Sequence, residues 1–184
     1  MRKFVVLLTI MALFAGALPA FADHHANLPT ISDIVVQSAS ADDAEFSILL
    51  AAVQAADPAV LEALSADDAS AEAQITVFAP TDAAFATALE ALDVTAEDLL
   101  ADTELLTSVL LYHVIPGRVM AEDVVGLLEE NEGSFDVETL NGKYAEVKTE
   151  MDNIYIDGAK IVTTDIEASN GVIHVIDCVL TPPA

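Results

Sequence analysis

Few side chains in this chain have the chemistry to act on another molecule. They are four histidines (His24, His25, His113, His174), one cysteine (Cys178) and a large excess of carboxylates. A thiol–imidazole pair is the first constellation to test. His174 and Cys178 fall on one face of a strand pattern but four residues apart, roughly 13 Å at strand rise. A nucleophile and its base need hydrogen-bond reach, so this spacing does not make one. The sequence has no Gly-x-Ser-x-Gly elbow, no His-Glu-x-x-His and no glycine-rich phosphate loop. Its carboxylates are scattered through helical and turn segments, with no apolar pocket in sight to raise the pKa of one. The chain reads as a non-enzyme with no catalytic residues. One further set can bind metal. If a leader is cleaved after Ala22, the new terminus is Asp23-His24-His25, with a histidine third from a free amine. The amine, two deprotonated amide nitrogens and the His25 imidazole form a square-planar set suited to Cu(II) or Ni(II). The alternative is a plain polar leader, and no pattern in the chain asks for a resident cofactor.

That cleavage is itself legible. Arg2-Lys3, the apolar run from Phe4 to Leu18 and Ala20-Phe21-Ala22 read as a secretory signal over residues 1–22. The run is too short and too N-terminal to favour a membrane span. Asp23 to Pro29 follows as a polar leader. The chain after Ala22 holds only Arg118, Lys143, Lys148 and Lys160 against 31 acidic residues, a net charge near −27. Such a surface repels phosphate backbones, anionic lipids and sulfated polysaccharides, so no nucleic acid is expected as a partner. The charge serves solubility, or it meets a partner that is cationic or bridged by divalent cations. With one cysteine there is no intramolecular disulfide. Strand alternation places Cys178 with His174, Ile176 and Leu180, which favours burial over pairing between chains.

The elements that would position these groups follow from pattern. Ile75-Thr76-Val77-Phe78 has strand composition, Pro80 ends it, and Thr81-Asp82 starts a helix with Phe85, Leu89 and Leu92 as its apolar stripe. Before it, Ser32 or Thr30 caps a helix carrying Ile34-Val35. The Asp42-Asp43 turn leads to a helix with Phe46, Leu49-Leu50 and Val53, and Asp57-Pro58 opens a third. Residues 66–74 form an acidic connector. Thr95-Ala-Glu-Asp98 is a capping box, and a helix from about Thr103 delivers Tyr112-His113 to the turn at Pro116-Gly117. A short acidic segment, Ala121 to Leu128, follows. Asn141-Gly142 and Asp157-Gly158 then turn two hairpins, and Val172 to Leu180 closes the chain as a strand apolar on both faces. Helices first and hairpins last make one α+β domain.

Three stretches of this chain resemble the signature boxes of fasciclin domains: Ile75–Phe85, Leu110-Leu-Tyr-His-Val-Ile-Pro-Gly117 and Asn170-Gly-Val-Ile-His-Val-Ile-Asp177. The resemblance spans Leu28 to Pro182 and implies a β-sandwich or wedge of two sheets with an N-terminal helical layer. It implies a secreted adhesion or matrix-interaction module, extracellular or periplasmic, monomeric or weakly oligomeric. Its partner would be a cell-surface or matrix protein or polysaccharide. From animal members it implies partner contacts at Asp165-Ile166 and Tyr112-His113, although Glu167 here replaces the apolar residue that follows the pair in those motifs. His113 and His174 lie inside the later boxes. Either they are core histidines bonded to backbone or to a hydroxyl such as that of Thr81, or His113 and Asp82 brace one box to the next. A second class of function is also implied: a soluble carrier of a small apolar ligand such as a pigment or lipid, held in a groove of the helical layer.

Overall fold

The computed structural model describes residues 28–39, 45–65, 74–92, 95–151 and 153–183. The expected signal segment, Asp23-His24-His25, the expected turn at Asp42-Asp43 and residues 66–73 of the connector lie outside the described residues. Three helices come first: α1 (Ile31–Ala39), α2 (Ser47–Ala55) and α3 (Pro58–Ser65). Thr30 is the cap of α1. Its hydroxyl accepts from Asp33 N–H at 3.2 Å, and Asp33 Oδ2 accepts from Thr30 N–H at 3.1 Å. Asp57 Oδ1 accepts from Ala59 N–H, with Pro58 at the first helical position as its missing donor allows.

Next come β1 (Ile75–Pro80), α4 (Asp82–Leu92), α5 (Ala96–Ala101), α6 (Thr103–Tyr112), β2 (Val114–Pro116) and α7 (Ala121–Glu130). The Thr95–Asp98 capping box forms at α5. The acidic stretch after Gly117 is a full helix, α7, which buries Val124 and Leu128. The chain ends in β3 (Ser134–Glu138), β4 (Tyr144–Glu150), β5 (Asn153–Ile156), β6 (Ala159–Ala168) and β7 (Gly171–Ile176). Asp157 and Gly158 both have positive φ, 48° and 84°, and pair Ile156 with Ala159 across a two-residue turn. At Asn141-Gly142 the loop is longer. Strand pairing stops at Glu138–Tyr144, and Thr139 N–H closes the loop on Lys143 O.

The sheet has seven strands in the order β2-β1-β7-β6-β5-β4-β3, with β1 and β7 parallel and every other pair antiparallel. The two halves of the wedge are continuous through β6. Ala159 and Lys160 pair with β5, and from Ile161 onward the strand pairs with β7 across two register shifts. Such irregularities bend a strand and let one sheet turn a corner. Leu140 N–H donates to Val114 O at 2.8 Å and brings the outer edges together.

Two cores result. Ile75, Val77 and Ala79 of β1 and Ile173 and Val175 of β7 pack under α1–α3. Phe78 and Ile176 join Tyr112, Val124, Leu128, Val147 and Ile156 beneath α7. β1 and β7 are buried along their whole length, which is why both faces are apolar.

Two expectations need correction. The last strand stops at Ile176 rather than Leu180. The chain bends at Asp177, whose Oδ1 accepts from Lys160 N–H, so alternation lapses and Cys178 is exposed, not buried. The α4 stripe is also weaker than its spacing suggests: Phe85 is buried but Leu89 only half so, in a helix that packs on α2 as well as on β1.

Candidate functional site

The sheet order β2-β1-β7 sets the three sequence boxes side by side. Phe78 N–H donates to His113 O at 2.8 Å, and Ile75 N–H to Asn170 O at 3.2 Å. The boxes are therefore one structural unit.

His113 sits at the end of α6, 3% exposed. Its Nδ1 bonds Val109 O at 2.8 Å, and Nε2 accepts from Leu180 N–H at 2.9 Å. A ring that donates on one side and accepts on the other is neutral. Burial pushes its pKa down to about 4, and the Val109 carbonyl offsets this only in part. Tyr112 is fully buried, with its hydroxyl 2.5 Å from Asp157 Oδ2 and 3.0 Å from Tyr144 O. Burial and then the Asp157 carboxylate hold the phenol well above its usual pKa. Tyr112 and His113 therefore tie α6 to the β5–β6 turn and to the C-terminal segment. Neither side chain is presented to a partner, which corrects the contact role implied for them.

The expected brace between His113 and Asp82 does not form. Asp82 stands at the head of α4, where its carboxylate faces the start of α2, accepting from Ser47 N–H at 3.1 Å and Ile48 N–H at 2.9 Å. It caps a neighbouring helix and leaves His113 to backbone groups. Thr81 caps its own helix, accepting from Ala84 N–H at 3.3 Å.

His174, on β7, bonds Val119 O through Nε2 at 2.9 Å and accepts from Asp165 N–H at Nδ1, 3.3 Å away. Its ring lies 5.6 Å from that of Phe78. Burial lowers its pKa, against the opposing pull of the Val119 carbonyl and Asp165. Asp165 occupies the irregular stretch of β6 with φ 60°, a left-handed conformation that a short polar residue tolerates better than most. Its Oδ1 accepts from Ala121 N–H at 2.9 Å, so the carboxylate caps α7. Ile166 is half-buried and packs against the helical core. Glu167 is exposed and paired with Arg118 at 2.7 Å.

Asn170, Gly171, Thr76 and Arg118 were given no role from sequence. Asn170 is buried. Its Oδ1 accepts from Ile31 N–H at 2.9 Å and its Nδ2 donates to Leu64 O at 2.8 Å, so one side chain holds the ends of α1 and α3. Gly171 lies so close to β1 that a Cβ there would stand 1.9 Å from Ile75 O. Thr76 donates to Gly117 O at 2.8 Å and accepts from Val119 N–H at 2.9 Å. Arg118 donates to Gly171 O at 3.1 Å. The Asn-Gly head of the closing box and the single arginine after residue 22 of an acidic chain are the available signals.

Cys178 is exposed, and its thiol pKa is raised by partial burial and then by Asp177. That is the reverse of thiolate activation. Among the described residues no group of three or more His, Cys, Asp or Glu side chains is placed to hold a metal ion. Asp23, His24 and His25 lie outside them.

The motif residues thus define an α+β scaffold whose conspicuous polar groups are spent on internal bonds. The fasciclin-domain family model matches residues 44–182, and the chain belongs to that family. It is similar to Protein sll1483 of Synechocystis sp., 37% identical over 78 residues covering 42% of this chain and 39% of that protein. Cell surface glycolipoprotein MPT83 of Mycobacterium tuberculosis is 34% identical over 88 residues, 48% of this chain and 36% of that one. The chain spans less than half the length of either relative. A solved FAS1 domain pair from the insect cell adhesion molecule fasciclin I superposes with a TM-score of 0.54 at 22% identity, covering 78% of this chain and 47% of that one. The last likeness concerns the fold. No helix among the described residues is long and apolar enough to cross a membrane.

Proposed function

We propose that this protein is a secreted, non-enzymatic adhesion or matrix-interaction module, exported by the segment ending at Ala22. The observation that carries the reading is the fate of the motif side chains. Tyr112, His113, Asn170 and His174 are buried and bonded within the fold, so what the domain offers a partner is a surface rather than a catalytic cleft. The family and the cell-surface relative support the address and the class. Around Asp165 the β6 register shifts, with Val162 half exposed before it and the Arg118–Glu167 pair after it on the same strand, and this is where a partner contact is assigned. The partner is a surface or matrix polymer that is cationic or bridged by divalent cations.

Immobilised protein is expected to retain cells or matrix polymer in low salt and release them in high salt. Asp165→Asn keeps an oxygen for the Ala121 N–H and tolerates the backbone conformation, so it removes charge without removing the cap. Retention should fall about tenfold for that variant if the Asp165 charge is central to the contact. Retention no better than that of an inert acidic protein would sink the adhesion reading. The carrier reading stands second, because the groove among α1, α2 and α3 offers about 120 Å³, below the roughly 300 Å³ of small-molecule sites.

A further inference from the structure

A larger concavity lies between the C-terminal half of α7 and the β4–β5 hairpin. This open groove has a volume of about 510 Å³, within the range of small-ligand sites, roughly 300–1,000 Å³. Its floor is apolar, made by Val125, Leu128 and Ile154, and its walls carry Glu129 and Glu132. No basic residue lines it. Of the four basic side chains in the domain, three are engaged elsewhere: Arg118 pairs with Glu167, Lys148 with Glu150, and Lys143 bonds Pro183 O, while Lys160 lies on β6.

The end of α7 adds to the negative field. Gly133 N–H bonds back to Leu128 O at 2.8 Å, and Ser134 N–H bonds Asn131 O at 3.3 Å. The carbonyls of Glu129 and Glu130 therefore lack the donors four residues on that would continue the helix. They form the negative pole of the helix, and the last turn contains no basic residue to meet it. Glu132 then places a carboxylate just beyond that pole, in a left-handed conformation (φ 57°) where glycine or asparagine is the usual choice. For stability alone the residue is wrong in charge and in backbone preference. Local violations of this kind are expected where a site needs the group.

We infer that the α7–hairpin groove binds an aliphatic amine, its ammonium held by Glu129, Glu132 and the end of α7 and its methylene chain laid on Val125, Leu128 and Ile154. The three features select different parts of one ligand. The carboxylates and helix pole require a cation, the floor requires an apolar body, and the volume suits a single small molecule. This site is separate from the β6 surface assigned to adhesion and stands without it.

The probe is 1,8-diaminooctane, titrated into the full-length protein while methyl resonances and binding heat are followed. Shifts are expected at Val125, Leu128 and Ile154. Replacing both acids (Glu129→Gln with Glu132→Gln) should weaken binding at least about tenfold. Replacing two distant exposed acids (Glu62→Gln with Glu97→Gln) alters net charge equally and should leave binding unchanged. The neutral isostere 1,8-octanediol should bind at least about tenfold more weakly than the diamine. The inference is overturned if the diamine fails to bind, if the distant pair weakens it as much as the groove pair, or if the diol binds as well.

Discussion

At the scale of single residues, Asn170 and Gly171 decide how the first and last boxes meet. The asparagine fills four roles with one residue: two side-chain bonds to helix ends, a backbone acceptor for Ile75 N–H, and the turn into β7. Gly171 permits the approach itself. In Gly171→Ala the new methyl would lie 1.9 Å from Ile75 O and 3.1 Å from the Ile31 side chain. The side chain can move, but the oxygen belongs to the backbone of a fully buried strand. We expect a loss of about 3 kcal/mol or more, read as a fall in the urea midpoint at constant m-value. A loss under about 1 kcal/mol would mean that β1 can retreat, and that the parallel pair is looser than its geometry. Sequence pattern found these residues but not their work. Nothing in a linear pattern says that an asparagine before the last strand reaches the start of α1, 139 positions away. The same blindness explains Asp82 and Cys178. Box order offers the first a histidine partner, His113, yet it serves the neighbouring helix. Alternation carries the second into a strand that ends at Ile176.

At the scale of elements, what was legible is what chemistry fixes locally. The capping box at Thr95, the proline start of α3 and the Asp157-Gly158 hairpin turn each depend on residues within four positions. α7 was harder to see, since it ends in Glu129 and Glu130 and lacks a C-terminal base, against the dipole preference of a helix. It is held by tertiary contacts instead: Val124 and Leu128 in the second core, and Asp165 at its N-terminus. A test follows at its other end. Glu132→Gly removes both the left-handed penalty and a carboxylate from the negative pole. The variant should be more stable by about 1 kcal/mol, even after the entropy cost of a glycine in the unfolded chain. Thermal melts in low salt would show it as a higher midpoint. If the midpoint instead falls, Glu132 makes a stabilising contact and the local-conflict argument for the groove loses a support.

At the scale of the whole molecule, two electrostatic effects act in different pH ranges and can be separated. The first is self-repulsion, from a net charge of −25 with carboxylates such as Asp136 and Glu146 directly opposed across β3 and β4. Salt screens it, and carboxylate protonation relieves it below about pH 5. The second is the cost of charging buried histidines. His113 is held near pKa 4 in the folded state against 6.5 in the unfolded one, and His174 is displaced in the same direction. The unfolded chain therefore binds those protons first. Stability is complete above about pH 6.5, falls as the pH drops toward 4, and changes no further below that on their account. In 1 M salt the repulsive part is muted, so melts between pH 7 and pH 5 isolate the histidines. His113 alone should remove about 2 kcal/mol by pH 5, with His174 adding to it. A midpoint that stays flat over that range in high salt would mean the two rings accept protons in place. Protonation makes His113 Nε2 and His174 Nδ1 donors, so Leu180 N–H and Asp165 N–H would then have to release them without cost, which the burial of both rings argues against.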